Sequence, residues 1–148
     1  LFLSHCWEHS QDQAASIKAM LCLMVPSLAI FLDVDDLSDI ARLEEHVAES
    51  ECMVVLVADG YLASANCRRE LVKARQQGMP LCLILETSPK YGAVTLNDLH
   101  RAHERLRQSH QVLLEREDEA VLHLISQVEE GRAIEWHRER PLRYAALK

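Results

Sequence analysis

Four stretches of this chain are apolar from end to end yet too short to be helices: Leu1-Phe2-Leu3, Ala29-Ile30-Phe31-Leu32, Cys52-Met53-Val54-Val55-Leu56-Val57 and Leu81-Cys82-Leu83-Ile84-Leu85. A strand with one wet face alternates apolar and polar residues, whereas a strand covered on both faces does not. These runs therefore predict strands of a parallel sheet with helices packed on each side. The segments between them carry the required helical spacing. From Ser10 to Met24 the apolar positions Ala14, Ile17, Met20, Leu21 and Met24 fall on one face, and Pro26 stops the run. A helix from Ile40 to Glu49 places Leu43 and Val47 together, and one from Asn66 to Gln77 closes at Gly78. Thr87 to Leu99 reads as a loop broken by Pro89 and Gly92, and a longer helix carries Val121, Leu122, Ile125 and Val128 before Gly131 and a fifth strand at Ile134.

This alternation predicts an α/β fold with three layers, a flavodoxin-like five-stranded parallel sheet in the order 2-1-3-4-5 with helices on both faces. A chain of 148 residues, 49% of them hydrophobic, suits one domain spanning residues 1–148. Its first residue is a Leu inside a strand-like run, so we expect a module excised from a longer protein. No apolar run reaches the length of a membrane span and no leader pattern is present, so no membrane is expected for this segment. The five cysteines at 6, 22, 52, 67 and 82 form no disulfide framework; Cys22, Cys52 and Cys82 sit in apolar runs as small buried hydrophobes. A cytoplasmic location is the matching expectation.

Net charge is −7 and no long basic stretch exists, which argues against nucleic acid as a partner. The region His100 to Arg116 is the exception, with Arg101, Arg105, Arg107 and Arg116 among histidines; it reads as a solvated helix face with pairs such as Glu104 beside Arg101. Four glycines and no GxGxxG leave no redox dinucleotide site.

After the third run comes Gly60-Tyr61-Leu62-Ala63-Ser64-Ala65-Asn66-Cys67-Arg68-Arg69-Glu70-Leu71. It reads as a loop entering a helix at the carboxyl edge of the sheet, where open parallel sheets place their ligand crevice. Glu70, in the first turns of that helix, is positioned either as a partner of the helix dipole or as a catalytic carboxylate.

The opening Leu1-Phe2-Leu3-Ser4-His5, the acidic loop Val34-Asp35-Asp36-Leu37-Ser38-Asp39 after the second strand, the Tyr61, Ser64, Cys67 and Glu70-Leu71 pattern, and the closing Ile134-Glu135-Trp136-His137-Arg138 jointly resemble a TIR (Toll/interleukin-1 receptor) domain, closest to those of plants and eukaryotic microbes. The resemblance covers nearly the whole chain and shares the strand order given above. For enzymatic members it implies hydrolysis of NAD+ at the nicotinamide–ribose bond, giving nicotinamide and ADP-ribose or a cyclic ADP-ribose, with Glu70 catalytic. It further implies a substrate pocket completed by Ser4, His5, Cys6 and Trp7 and by the second loop from Asp33 to Leu37, including Val34, together with Asn66. Many enzymatic relatives carry an aromatic residue four before the glutamate, and this chain has Asn66 there. NAD+ is a substrate in this reading, with no cofactor and no metal. For non-catalytic members it implies a signalling scaffold that self-associates with other TIR domains, a homo-oligomer through the second loop.

One carboxylate is chemically sufficient for the NAD+ reaction. Positive charge builds on the ribose as the bond breaks, and nicotinamide leaves neutral, so no general acid is required. Two other chemistries are written in the sequence. Ile30-Phe31-Leu32-Asp33-Val34-Asp35 matches the strand-then-DxD signature of haloacid-dehalogenase-type phosphatases, although it stands on the second strand and no later strand ends in paired acids. His5, Cys6 and His9 could ligate a metal but have no second pair at zinc spacing.

Overall fold

The computed structural model describes residues 1–32, 43–109 and 114–137. Along the chain the elements are β1 (Phe2–His5), α1 (Trp7–Met24), β2 (Phe31–Leu32), α2 (Leu43–Ala48), β3 (Met53–Val57), α3 (Ala65–Gln76), β4 (Leu81–Glu86), a 3-10 turn (Pro89–Tyr91), α4 (Leu96–Gln108), α5 (Glu115–Glu129) and β5 (Ile134–Trp136). All pairings are parallel and the strand order is β2-β1-β3-β4-β5, as the apolar runs predict.

The two-sided burial that those runs demand is met by two separate cores. Alternate residues of β3 divide between them: Met53, Val55 and Val57 pack with Leu43 and Val47 of α2, Leu71 and Ala74 of α3, Leu99 of α4 and Val121, Leu124 and Ile125 of α5. Val54 and Leu56 point the other way, onto Ala14 and Ile17 of α1, with Leu3, Ile84 and Trp136. The sheet is thus the middle of three layers. Shifting β3 by one residue would exchange every contact between the two cores, which is why its register is fixed.

Three local expectations are corrected. Helix α4 begins at Leu96, inside the stretch read as loop, because Thr95 and Asp98 form a reciprocal cap in which each side chain bonds the other's backbone N–H. Cys22 and Cys52 are only half-buried and Cys82 is exposed. Strand β5 reaches only Ile84 to Glu86 of β4, so among the described residues no strand borders Cys82 on that side of β4. Arg101 pairs with Asp98 at 2.5 Å rather than with Glu104. The helix face is not wholly solvated either: His103 is buried and bonds Asp118 of α5 at 2.6 Å.

Gly92 carries a left-handed backbone (φ +79°) where the β4–α4 connection touches the β3–α3 turn. A Cβ there would stand 3.2 Å from Asp59 Cβ and from its backbone N, while Asp59 N–H donates to the Gly92 carbonyl at 2.9 Å. Glycine permits this approach, and the approach anchors the start of the loop that lines the site.

Candidate functional site

Parallel pairing of β1 with β3 brings the ends of both strands, His5 and Val57, to the same edge of the sheet. From there the chain leaves β1 through Cys6 into α1, and leaves β3 through the turn 58–64 into α3. Gly60 turns the second connection with φ +81°, and Ser64 caps α3, its hydroxyl accepting from Cys67 N–H at 3.3 Å. Between the two connections lies a cleft of about 380 Å³. His5, Cys6, Trp7 and Glu8 wall one side; Gly60, Ala63, Ser64, Asn66, Cys67 and Glu70 wall the other. Cys67 Sγ donates to the His5 carbonyl at 3.4 Å and ties the walls together.

Glu70 lines this cleft although only 1% of its surface is exposed. Its Oε2 accepts a hydrogen bond from Ser4 Oγ, and Ser4 Oγ lies 2.6 Å from the Tyr61 hydroxyl. A carboxylate only accepts, so Ser4 gives its single proton to Glu70, and Tyr61 donates to Ser4. The chain Tyr61, Ser4, Glu70 is buried throughout and holds the carboxylate in one place.

Two further anchors hold the second wall. Arg68 is buried and its Nη1 donates to the carbonyls of Leu62 at 2.9 Å and Ala63 at 2.8 Å, while its Nε lies 3.5 Å from Glu117 of α5. Arg69 grips Glu44 of α2 with both arms, Nε to Oε1 at 2.7 Å and Nη2 to Oε2 at 2.9 Å, and its Nη1 donates to Asn66 Oδ1 at 3.3 Å. The hydrogen bond from Arg69 holds the Glu44 carboxyl below the usual carboxylate range.

The structure thus brings Glu70, His5, Cys6, Trp7 and Asn66 together on one cleft. Ser4 differs: it is wholly buried behind Glu70 and reaches the carboxylate rather than the cleft. Trp7 opens α1 with 45% of its surface exposed. Asp33, Val34 and Leu37 lie outside the described residues, as do Asp35 and the side chain of His9. The run before Asp33 forms β2, the second strand along the chain and not the first that the DxD reading wants, and it pairs with β1 at the end of the sheet. Among the described residues no three His, Cys, Asp or Glu side chains are arranged to hold a metal. Tyr61, Arg68, Arg69 and Glu44 were not among the site residues legible in the sequence. Tyr61 meets Ser4 across 57 residues and Glu44 meets Arg69 across 25, which no local pattern encodes.

On the far side of the 58–63 turn is a second hollow of about 370 Å³. Leu62, Val94, Leu99, Ala102 and Leu106 line it beside Asp59, Asp98 and Arg105, and neither of its carboxylates is buried. Of these two hollows among the described residues, the first is the one lined by a buried acid, Glu70.

No protein-family model matches this chain, and no curated protein matches it. Among solved structures it is similar to the TIR domains in the structure of the activated Roq1 resistosome directly recognizing the pathogen effector XopQ. The two share 17% identity over 95% of this chain and 89% of that one, with a TM-score of 0.61. With the strand order, this makes the fold a TIR-like α/β fold.

Proposed function

We propose that this chain is a TIR-type NAD+ glycohydrolase in which Glu70 is the catalytic residue. The observation that carries the reading is a carboxylate held by Ser4, itself bonded to Tyr61, in a cleft on the carboxyl edge of the sheet. In this reading the ribose enters with its anomeric carbon against Glu70. The carboxylate then stabilises the oxocarbenium-like transition state as the bond to nicotinamide breaks, and water completes hydrolysis to ADP-ribose. Because the carboxylate is fixed before substrate arrives, little reorganisation accompanies the charge build-up. His5, Cys6, Trp7 and Asn66 are the substrate-binding groups, with Asp33, Val34 and Leu37 of the following loop; Trp7 offers an exposed ring for stacking. NAD+ is a substrate, and neither metal nor cofactor takes part.

The test is nicotinamide release from NAD+ by the purified chain in the presence of EDTA. Glu70→Ala lowers the rate at least about a hundredfold with the fold intact. Cleavage within a few-fold of wild type in a folded variant removes Glu70 from this role.

Self-association is proposed as the setting for this activity, and as the function itself if cleavage is absent. The similar TIR domains come from an activated resistosome. Helix α4 turns Arg101, Arg105 and Arg107 to solvent, a basic face that the acidic residues Asp35 and Asp36 of another copy would complement. Specific activity then rises with protein concentration, and weakens with salt and in the Asp35→Lys, Asp36→Lys double variant. A rate strictly proportional to enzyme concentration, unchanged in that variant, shows that a monomer suffices. We place such a module in the cytoplasm, in signalling.

A further inference from the structure

We infer that Asn66 faces the ligand as a hydrogen-bond donor, reading a carbonyl oxygen on it, and that Arg69 and Glu44 are positioning residues that impose this orientation. A free Asn side chain presents either its oxygen or its NH2 group to a ligand, because the two ends exchange by rotation. Here the exchange is blocked. The Glu44 carboxylate engages Arg69 through Nε and Nη2 together, a two-point contact that fixes the plane of the guanidinium. The remaining arm, Nη1, is directed at Asn66. Arginine has only donors to give, so the Asn66 oxygen must face Arg69 and the amide NH2 must face away from it. Asn66 is half-buried on the cleft wall, so the group it is left to offer is a donor.

Spacing identifies what that donor meets. Asn66 and Glu70 stand four residues apart on α3, a rise of about 6 Å. An acceptor one helical turn from the reacting carbon is therefore the feature selected. The carbonyl oxygen of a pyridine-3-carboxamide lies on that scale from the carbon attached to the ring nitrogen. This choice of ligand rests on the NAD+ reading; the donor polarity of Asn66 does not. An aromatic wall at this position would favour any flat ring. The amide instead favours a ring that carries an acceptor, which is a difference in specificity.

The experiment needs no turnover. Nicotinamide, 3-acetylpyridine and 3-ethylpyridine are titrated into the purified chain, and dissociation constants are read by NMR. The first two carry a carbonyl oxygen and the third does not. We expect the wild type to favour them by about tenfold, the upper end for one neutral hydrogen bond. Asn66→Asp replaces the donor by an acceptor-only group that still pairs with Arg69, and removes the preference without unfolding the helix. Arg69→Met and Glu44→Gln each reduce the preference to a few-fold, and neither changes it further in an Asn66→Ala background. A purely structural role for Arg69 would weaken all three ligands alike and would add to Asn66→Ala. The inference is overturned if the wild type binds none of the three or binds them equally, if the preference survives Asn66→Asp, or if the Arg69 effect is additive. Preference without NAD+ cleavage sinks the hydrolase reading alone, and cleavage without preference sinks this inference alone.

Discussion

Replacing Arg68 by Met should cost this fold more than any other change of an α3 charge, and the size of the loss can be worked from its contacts. Arg68 is 7% exposed, and its guanidinium donates from one nitrogen to two main-chain carbonyls, Leu62 at 2.9 Å and Ala63 at 2.8 Å. Hydrogen bonds from a charged donor contribute about 1.5–3 kcal/mol each, and an acceptor stranded without water loses its full solvation. The Leu62 bond is buried and falls in that range, whereas the Ala63 carbonyl is partly buried and recovers hydration on mutation. Glu117, at 3.5 Å with 19% of its side chain exposed, adds little once screened. Met restores the apolar part of the packing, so the net loss is about 2–3 kcal/mol, or about 6–10 °C in melting temperature for a domain of this size. Arg68→Lys keeps one donor near the carbonyls and recovers about half of it. Thermal melting of the three proteins decides the matter, with amide hydrogen exchange at Ala63 and Ser64 rising in the Met variant as the turn loosens. A Met variant within about 1 kcal/mol of wild type would falsify the claim that Arg68 pins this turn.

Three more outcomes follow from the same contacts. Ser4 holds Glu70 from behind without touching the cleft, so Ser4→Ala should lower kcat for NAD+ cleavage about tenfold and leave KM nearly unchanged; a change confined to KM refutes that placement. Asp98 is held at about 2, below its ordinary 3.8, first by the Thr95 hydroxyl, so its support of α4 is present above 3.8 and lost as pH falls through about 2. Thr95→Val should move the Asp98 carboxyl titration upward, read by NMR, and an unmoved titration removes the cap from the cause. Burial, then the nearby Arg75, pushes His123 below its ordinary 6.5, and its Nε2 accepts from the Gln127 amide at 2.8 Å, which requires the neutral ring. Its contribution is therefore full above pH 6.5 and lost as pH falls through the lower folded value, so His123→Gln should flatten the fall in melting temperature between pH 7 and 5.

The fold was legible because burial on two faces leaves a mark that survives in one dimension. Val54 and Leu56 face one core while Met53, Val55 and Val57 face the other, and nothing but an unbroken apolar run satisfies both. The start of α4 was legible too, through Thr95 and Asp98, but the glycine and proline just before it outweighed that cap in the sequence. Cysteine burial was misread for a different reason. The apolar character of the run around Cys82 is genuine, but exposure there depends on where β5 begins, which is set by tertiary pairing. In the cleft, Glu70 could be named from order along the chain, since the strand ends of a parallel sheet gather at one edge, and Asn66 and the residues after β1 through the resemblance to TIR domains. Their supports could not. Tyr61 stands in the pattern that carries the resemblance, but its bond to Ser4, like that of Glu44 to Arg69, spans folds of the chain and leaves no local signature.

Arg68, Arg69 and Glu70 show what such supports amount to. Three charges stand in a row on α3, yet Arg68 and Glu70 are buried and Arg69 is half-buried. Successive residues of a helix point about 100° apart, so the three side chains address three different neighbours. Arg68 turns to the carbonyls of the 62–63 turn and to α5, Arg69 to Glu44 on α2, and Glu70 to Ser4 on β1. Each contact lies in a different direction around α3, so together they fix the rotation of the helix about its own axis. That rotation sets where the Glu70 carboxylate meets the cleft, and a helix held by apolar contacts alone could roll while keeping most of them. A carboxylate that must wait in one position for charge to develop on a ligand needs its helix held in this way. The two arginines beside Glu70 thus belong to the site even though neither lines it.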